Sequence, residues 1–191
     1  MMKLVVFASG SGSNAENIIQ HFAGSDVRVQ AIFCNVEGAG VVERANRLGV
    51  SCELFNRTEW KTGDRVDALL EKYSPDLIVL AGFLWLFPKR LIDKYPHVIN
   101  LHPALLPKFG GKGMFGIHVH EAVVAAAETK TGITVHWVTE LYDDGAPIFQ
   151  ARCEVSPTDT ANDVAQKIHA LEQAHFPRVV EEVLKDIQLK A

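Results

Sequence analysis

The N-terminal part of the chain alternates between short apolar runs and segments with helical spacing, and this alternation constrains the fold more than any other feature. The apolar runs predict strands at residues 4–7, 27–33, 52–55 and 77–80, and the spacing between them predicts helices at residues 15–22, 41–48 and 64–73. Such alternation is typical of a doubly wound α/β fold, with a mostly parallel sheet and helices on both faces. Ligands of such sheets bind at the carboxyl ends of the strands.

The C-terminal part predicts a helix at residues 118–127, strands at 132–138 and 148–155, and a long amphipathic helix from 160 to about 189. Thr160 and Asp163 have the spacing of a capping pair at the start of that helix, and Pro177 is expected to kink or interrupt it. Because no repeat or linker divides the sequence, we expect a single domain over residues 1–191.

Composition narrows the class of protein. The chain has 191 residues, of which 48% are hydrophobic and 22% are charged, so it can bury a sizeable core. A formal charge of -4 without a basic stripe disfavours nucleic acid as a partner and favours small-molecule ligands. The three cysteines form no C-x-x-C pair, and the N-terminal apolar run is too short for a signal peptide or membrane span. We therefore expect a cytoplasmic protein that does not associate with membranes.

The segment Asn-Leu-His-Pro-Ala-Leu-Leu-Pro at residues 100–107 is the strongest indication of chemistry. Side chains in a strand repeat with period two, so Asn100 and His102 are expected on one face at the end of a strand, where both can act on one substrate atom. The two prolines predict a stiff loop after them. The alternatives are that Asn100 only ties down the loop and that His102 only packs beside Pro103.

A turn rich in glycine and serine, Ser-Gly-Ser-Gly-Ser-Asn at residues 9–14, lies between the first predicted strand and helix. Small residues at such a turn let backbone N–H groups approach a phosphate, and Ser13 and Asn14 add side-chain donors. The alternative is a capping box, in which Ser13 caps the helix and Glu16 reaches back. Both interpretations can hold together.

An acidic turn, Tyr-Asp-Asp-Gly at residues 142–145, follows a strand that we expect beside the strand of Asn100. A carboxylate from this turn placed against His102 would raise the pKa of the imidazole and fix its tautomer, as general acid–base chemistry requires. The alternative is an ordinary turn, since Asp and Gly are common turn residues.

Two further groups of residues have less specific interpretations. His118, His120 and His136 do not have the spacing of a metal site, so we expect polar lining of the site and no metal. The apolar run at residues 81–88 predicts either core packing or a wall for a flat aromatic ligand.

Four motifs, in this order, resemble those of the glycinamide ribonucleotide formyltransferase family. They are Phe-Ala-Ser-Gly-Ser-Gly-Ser-Asn at 7–14, Leu-Ala-Gly-Phe at 80–83, Ile-Asn-Leu-His-Pro-Ala-Leu-Leu-Pro at 99–107, and Val-His-x-Val at 135–138 followed by Asp-x-Gly at 143–145. The resemblance covers nearly the whole chain. The third motif marks the wider superfamily of folate-dependent formyltransferases and hydrolases.

The resemblance implies transfer of a formyl group from the co-substrate 10-formyltetrahydrofolate to the amine of glycinamide ribonucleotide in purine (IMP) biosynthesis. The amine would attack directly and form a tetrahedral intermediate, without a metal. The resemblance also implies a nucleotide-phosphate-binding half at about residues 1–100 and a folate-binding and catalytic half at about residues 101–191.

The family's functional residues match positions of this chain. The implied catalytic residues are Asn100, His102 and Asp143. The residues implied to bind the ribonucleotide are Gly12, Ser13, Asn14, His169 and Glu172. Those implied to bind the formyl-folate are Arg57, Phe83, Leu84, Trp85, Leu86, Asn100, Thr139 and Glu140.

The chain departs from the family pattern at several points. Asp144 beside Asp143 leaves the catalytic carboxylate open by motif alone, although counting back from Gln150 favours Asp143. Trp85 stands where an arginine is common, and the glycine-rich loop at residues 110–116 predicts a mobile lid.

Two other functions stay open at this stage. They are hydrolysis of formyltetrahydrofolate and non-catalytic binding of a folate or nucleotide. The sequence is compatible with a monomer or a homodimer.

Overall fold

A computed structural model describes residues 1–190 of the chain; Ala191, the last residue of the predicted domain, lies outside the described residues. This part of the chain forms seven strands and seven helices. The strands are β1 (Met2–Ala8), β2 (Val27–Cys34), β3 (Ser51–Leu54), β4 (Leu77–Leu80), β5 (Val98–His102), β6 (Lys130–Trp137) and β7 (Pro147–Glu154). The helices are α1 (Ser13–His21), α2 (Gly40–Leu48), α3 (Arg57–Thr62), α4 (Asp64–Tyr73), α5 (Lys89–Lys94), α6 (Ile117–Ala125) and α7 (Ala161–Lys190).

All seven strands form one sheet in the order β3-β2-β1-β4-β5-β6-β7. The strands from β3 to β5 are parallel, and β6 and β7 continue the sheet in antiparallel pairing. The predicted doubly wound, mostly parallel α/β fold is confirmed. The strand order reverses at β1, between β2 and β4, and ligands of such sheets bind beyond the carboxyl ends of the strands at this switch point.

The sheet separates two hydrophobic cores because successive side chains of a strand point to opposite faces. On β1, Leu4 and Val6 belong to one core, whereas Val5 and Phe7 belong to the other. The first core is covered by buried residues of α1, α2, α6 and α7, and the second by buried residues of α3, α4 and α5. Helices therefore cover both faces of the sheet, and the carboxyl ends of its strands stay open to ligands.

The sequence predicted the strands and the longer helices but missed the two shortest helices. The bounds of α4 and β4 were predicted as found, whereas α3 and α5, each of 6 residues, were not predicted. A helix of that length is too short to establish a hydrophobic period. The capping box of Asn56 and Glu59 at the start of α3 is the sequence feature that could have indicated it.

Of the two effects expected of Pro177, an interruption does not occur, because α7 is helical from Ala161 to Lys190. Proline has no N–H, so the carbonyl of Gln173, four residues earlier, loses its helical partner. The side chain of Asn17 on α1 donates to that carbonyl at 2.9 Å. This bond, together with burial of Pro177 and its neighbour Phe176, compensates for the missing helical bond.

Candidate active site

A cavity of about 680 Å³ opens at the carboxyl ends of β1, β4 and β5. It is lined by the turn after β1, the end of β4, the end of β5, the glycine-rich loop at residues 111–116, the acidic turn and one face of α7. It therefore lies where a doubly wound sheet binds its ligands. Several of the residues singled out from the sequence line it together.

Asn100, His102 and Asp143 lie in contact in this cavity. The Asp143 carboxylate stands between the other two, with Oδ2 3.4 Å from His102 Nδ1 and Oδ1 3.4 Å from Asn100 Nδ2. The backbone N–H of Gly111 also donates to Oδ2 at 2.9 Å. The other ring nitrogen of His102, Nε2, lies 2.7 Å from the carbonyl oxygen of Phe109. The predicted meeting of strand end and acidic turn is therefore found.

The local sequence explains how the acidic turn reaches the end of β5. Asp143 adopts a left-handed backbone conformation with φ of 53°, which is uncommon outside glycine but well tolerated by Asp. Gly145 lets the turn pass close to the end of β6, because a Cβ at this position would lie 1.6 Å from the carbonyl oxygen of Trp137. Asp144 is exposed, in contrast to the Asp143 side chain, which is 10% exposed.

The loop that follows His102 is fixed by Thr134 on the neighbouring strand β6. The hydroxyl of Thr134 donates to the carbonyl of Ala104 at 2.7 Å and accepts from the backbone N–H of Leu106 at 3.1 Å. The side chain of Gln150 on β7 also donates to this hydroxyl at 3.0 Å. The stiffness predicted from the prolines thus has a second source in the sheet.

The electrostatics differ from the sequence expectation at one point. Burial lowers the pKa of His102 below its usual value, and this outweighs the opposite effects of the Asp143 charge and the Phe109 carbonyl. The Asp143 charge thus raises this pKa as predicted, but the net shift in the free protein is downward because the effect of burial is larger. Burial by itself would raise the pKa of Asp143, but the nearby His102 ring and the hydrogen bond from the Gly111 N–H contribute to lowering that pKa overall. The ground state therefore pairs a neutral imidazole with an ionised carboxylate.

The residues predicted to bind the ribonucleotide also line the cavity. Gly12, Ser13 and Asn14 form the start of α1, and Asn14 Nδ2 donates to the Glu172 carboxylate on α7 at 2.9 Å. His169 Nδ1 lies 3.7 Å from the same carboxylate. Burial raises the pKa of Glu172, despite the opposing contacts with Asn14 and His169. The structure therefore brings all five of these residues together.

The capping-box interpretation of this turn was wrong. The residue that caps α1 is Gly12, with φ of 78°, and no side chain bonds to the free N–H groups at the helix start. The Glu16 carboxylate turns away and pairs with Arg44 and Arg47 of α2. The N–H groups at the start of α1 are thus left without a side-chain acceptor beside the cavity.

The residues predicted to bind the formyl-folate divide into two groups. Phe83 and Leu84 line the cavity together with Asn100. Five others do not line it: Arg57, Trp85, Leu86, Thr139 and Glu140. The Arg57 guanidinium lies over the Trp85 ring at 4.6 Å from its centroid. A role for these five residues stays a prediction.

The apolar run at residues 81–88 contributes to the second core, as one of its two interpretations predicted. Phe83 and Phe87 are buried there, whereas Leu84 and Leu86 are exposed. Phe83 and Leu84 also line the cavity, and a wall for a flat aromatic ligand stays a prediction.

Known proteins resemble this chain in sequence and in structure. The family described as Formyl transferase matches residues 2–180. The chain belongs to the formyl transferase family. It is 34% identical to the phosphoribosylglycinamide formyltransferase of Bacillus subtilis (strain 168), over 96% of this chain and 95% of that protein. It also resembles the crystal structure of phosphoribosylglycinamide formyltransferase from Streptococcus pneumoniae TIGR4, with a TM-score of 0.86, 33% identity, and coverage of 96% of this chain and 99% of that one.

A plant relative is longer than this chain. The chain is 35% identical to the chloroplastic phosphoribosylglycinamide formyltransferase of Arabidopsis thaliana over 93% of its own length, but it spans only 64% of that protein. The resemblance inferred from the motifs is confirmed by these comparisons.

Three histidines, which the sequence predicted to line the site without holding a metal, have different surroundings. His120 lines the cavity, and its Nδ1 is the one buried side-chain nitrogen or oxygen without a hydrogen-bond partner in residues 1–190. His118 is exposed and lies beside Glu121. His136 is buried and contacts both Asn100 and Asp143, which sequence reasoning missed. The register of β5 and β6 would have been needed to find that contact.

In residues 1–190, no group of three or more His, Cys, Asp or Glu side chains is arranged to hold a metal ion. Within the same part of the chain, no helix is long and apolar enough to cross a membrane.

Proposed function

We propose that this protein transfers the formyl group of 10-formyltetrahydrofolate to the glycine amine of glycinamide ribonucleotide, a step of purine biosynthesis. The observation that supports this most is the cavity, whose lining brings together Asn100, His102 and Asp143 with the free start of α1. Membership of the formyl transferase family and the names of the relatives agree with it. The substrates are small molecules, and the reaction would take place in the cytoplasm.

The ribonucleotide binds at the start of α1. The N–H groups of Gly12, Ser13 and Asn14 and the positive end of the helix are suited to the ribose phosphate. Glu172 lies beside Asn14 and accepts hydrogen bonds from the glycinamide part. The amine of this substrate then points toward Asn100 and His102.

The formyl-folate occupies the part of the cavity bounded by apolar side chains. Phe83 and Leu84 line this part together with the partly exposed rings of Phe115 and Tyr142. Aromatic and aliphatic groups of this kind suit a flat heterocycle. Arg57, with Trp85 beneath it, binds the carboxylate tail, while Leu86, Thr139 and Glu140 contact the co-substrate at the mouth.

The chain's own residues would act in the following order. The amine of the ribonucleotide attacks the formyl carbon, so a new C–N bond forms and an oxyanion develops on the formyl oxygen. An N–H of Asn100 donates to that oxyanion. Neutral His102 accepts the proton that the amine loses, and the charge of Asp143 stabilises the imidazolium. When the C–N bond to the folate nitrogen breaks, His102 or a bound water returns a proton to that nitrogen.

Binding both substrates in one cavity should supply a large part of the rate. Holding two reactants in the right geometry removes roughly 7–11 kcal/mol of barrier in favourable cases. Asn100 and His102 can both act on the reactants held in this geometry, because their side chains leave the same face of β5.

The test is the absorbance change when 10-formyltetrahydrofolate loses its formyl group, followed with and without glycinamide ribonucleotide. We expect turnover only when the ribonucleotide is present, and formylated ribonucleotide as the product. Turnover with release of formate in its absence would replace the proposal with a hydrolase. Saturable binding of both ligands without product would instead indicate a binding protein.

A further inference from the structure

His136 is a buried polar residue beside the catalytic group that the mechanism above does not use. It lies on β6 directly opposite Asn100 in the antiparallel pairing with β5, and its side chain is 3% exposed. Its Nε2 is 3.0 Å from Asn100 Nδ2 and 3.7 Å from Asp143 Oδ1. It thus contacts two of the three groups around the reacting atoms.

The tautomer of His136 follows from its other nitrogen. Nδ1 lies 2.8 Å from the backbone carbonyl oxygen of Trp137, which can only accept a hydrogen bond. The proton of a neutral ring is therefore on Nδ1, and Nε2 carries a lone pair. That lone pair faces the side-chain amide of Asn100.

The lone pair determines the orientation of the Asn100 amide. Only the NH₂ group can face an acceptor, and the oxygen of the amide would be repelled by both Nε2 and the Asp143 carboxylate. One N–H of Asn100 is then held by His136 at 3.0 Å, and the second makes a longer contact of 3.4 Å with Asp143. Because the second N–H has only this longer contact, it is the one that a substrate oxygen can accept from.

We propose that His136 is a positioning residue that keeps the NH₂ group of Asn100, and not its carbonyl oxygen, facing the formyl oxygen during the reaction. This inference rests on the proposed function. A flipped amide would present a lone pair to a developing oxyanion, which is repulsive. His136 therefore acts through Asn100 and touches neither substrate.

Two substitutions at this position separate the role from simple packing. His136→Phe keeps an aromatic ring but removes the acceptor, whereas His136→Gln places an amide oxygen close to the position of Nε2. Loss of one oxyanion donor costs about 100-fold to 1,000-fold in kcat. We expect His136→Phe to lower kcat by about 100-fold with both KM values within about 3-fold, and His136→Gln to recover at least about 10-fold of that loss.

The control is His118→Phe, since this exposed histidine lies outside the cavity lining and contacts Glu121 alone among charged groups. Its kcat should equal that of the unmodified protein. If His136→Phe retained near-normal kcat, or if His136→Gln were as slow as His136→Phe, the inference would be wrong.

A spectroscopic measurement tests the same geometry without turnover. Nitrogen-15 NMR of the imidazole rings at neutral pH should show His136 with its proton on Nδ1 and a bare Nε2. A proton on Nε2 would overturn the inference even in an active protein. If the unmodified protein shows no formyl transfer, the proposed function fails, while this spectrum still decides whether His136 can orient Asn100.

Discussion

Asp143 and Asp144 are adjacent in the chain but have different surroundings. Asp143 contacts His102, Asn100 and the Gly111 N–H, whereas Asp144 is exposed. The motif alone left the choice between them open. The structure supports Asp143 as the carboxylate that acts with His102, because only its side chain enters the cavity lining.

This difference gives the first prediction. Asp143→Asn removes the charge that stabilises the imidazolium of His102, so we expect kcat for formyl transfer to fall by about 100-fold or more. Asp144→Asn is the matched control and should change kcat by less than about 2-fold. Steady-state assays of both variants provide the measurement. Equal losses in the two variants would assign the acidic turn a structural role only.

The titration of His102 gives the second prediction. Its pKa lies below the ordinary value of 6.5 because burial disfavours the charged ring, while the Asp143 charge acts in the opposite direction. The folded protein therefore binds this proton more weakly than the unfolded chain, and lowering the pH below 6.5 reduces the stability contributed by His102.

Histidine NMR titration measures this directly. We expect the His102 midpoint below 6.5 in the free protein, and a lower midpoint still in Asp143→Asn, where the stabilising charge is gone. A midpoint above 6.5 would mean that the Asp143 charge outweighs burial.

Part of this site was predictable at the level of residues. The period of two along a strand is enough to place Asn100 and His102 on one face, and turn composition is enough to suggest a carboxylate near them. The contact of His136 with Asn100 depends on the register of β5 against β6, which the sequence does not encode locally. The low pKa of His102 depends on burial by several segments and was not predictable from its neighbours in sequence.

Helix α2 holds the turn that precedes α1. The Val41 N–H donates to the carbonyl of Gly10 at 3.1 Å, and Arg44 Nε donates to the carbonyl of Ser11 at 2.8 Å. A Cβ at Gly12 would lie 2.5 Å from the side chain of Val41, so only glycine allows this approach. With these two carbonyls bound by α2, the start of α1 can present its N–H groups to the cavity.

The third prediction concerns Arg44. Arg44→Ala removes the bond to the Ser11 carbonyl, so the turn loses one support. It also removes one of the two cations that pair with Glu16, so the negative charge of Glu16 is less well neutralised near the phosphate. We expect the Kd for glycinamide ribonucleotide to rise by about 10-fold, which corresponds to about 1.4 kcal/mol. The Kd for the formyl-folate should not change.

Arg47→Ala is the matched control, because Arg47 pairs with Glu16 at 2.7 Å and does not contact the turn. Calorimetry of both variants should show the larger loss for Arg44→Ala. Equal affinity in Arg44→Ala and the unmodified protein would show that α2 does not support the phosphate turn.

The differences between the predicted and the observed helices have definite physical causes. Helices α3 and α5 are stabilised by the second core, to which Trp60 and Leu91 contribute, and not by their own periodicity. Helix α7 continues through Pro177 because Asn17 on another helix bonds to the carbonyl of Gln173. Both outcomes depend on contacts between elements that are far apart in the chain.

At the scale of the whole molecule, the second core connects the sheet to the site. Phe7 on β1 lies at the centre of an aromatic cluster with ring centroids 4.8 to 6.1 Å from its own. Its partners are Phe33, Phe55, Trp60, Phe83 and Phe87. Because Phe83 also lines the cavity, the cluster supports the floor of the site.

The last prediction tests how much this cluster contributes to stability. Phe7 is fully buried, so Phe7→Ala removes a ring from the contacts of five aromatic neighbours and leaves a cavity that they cannot fill. A change of this kind costs about 3–5 kcal/mol in the free energy of unfolding. Phe115→Ala is the control, since that side chain is 43% exposed and should change stability by less than about 0.5 kcal/mol. Urea unfolding at neutral pH gives both values. A loss below about 1 kcal/mol for Phe7→Ala would mean that the cluster relaxes around the missing ring and that this ring does not stabilise the second core.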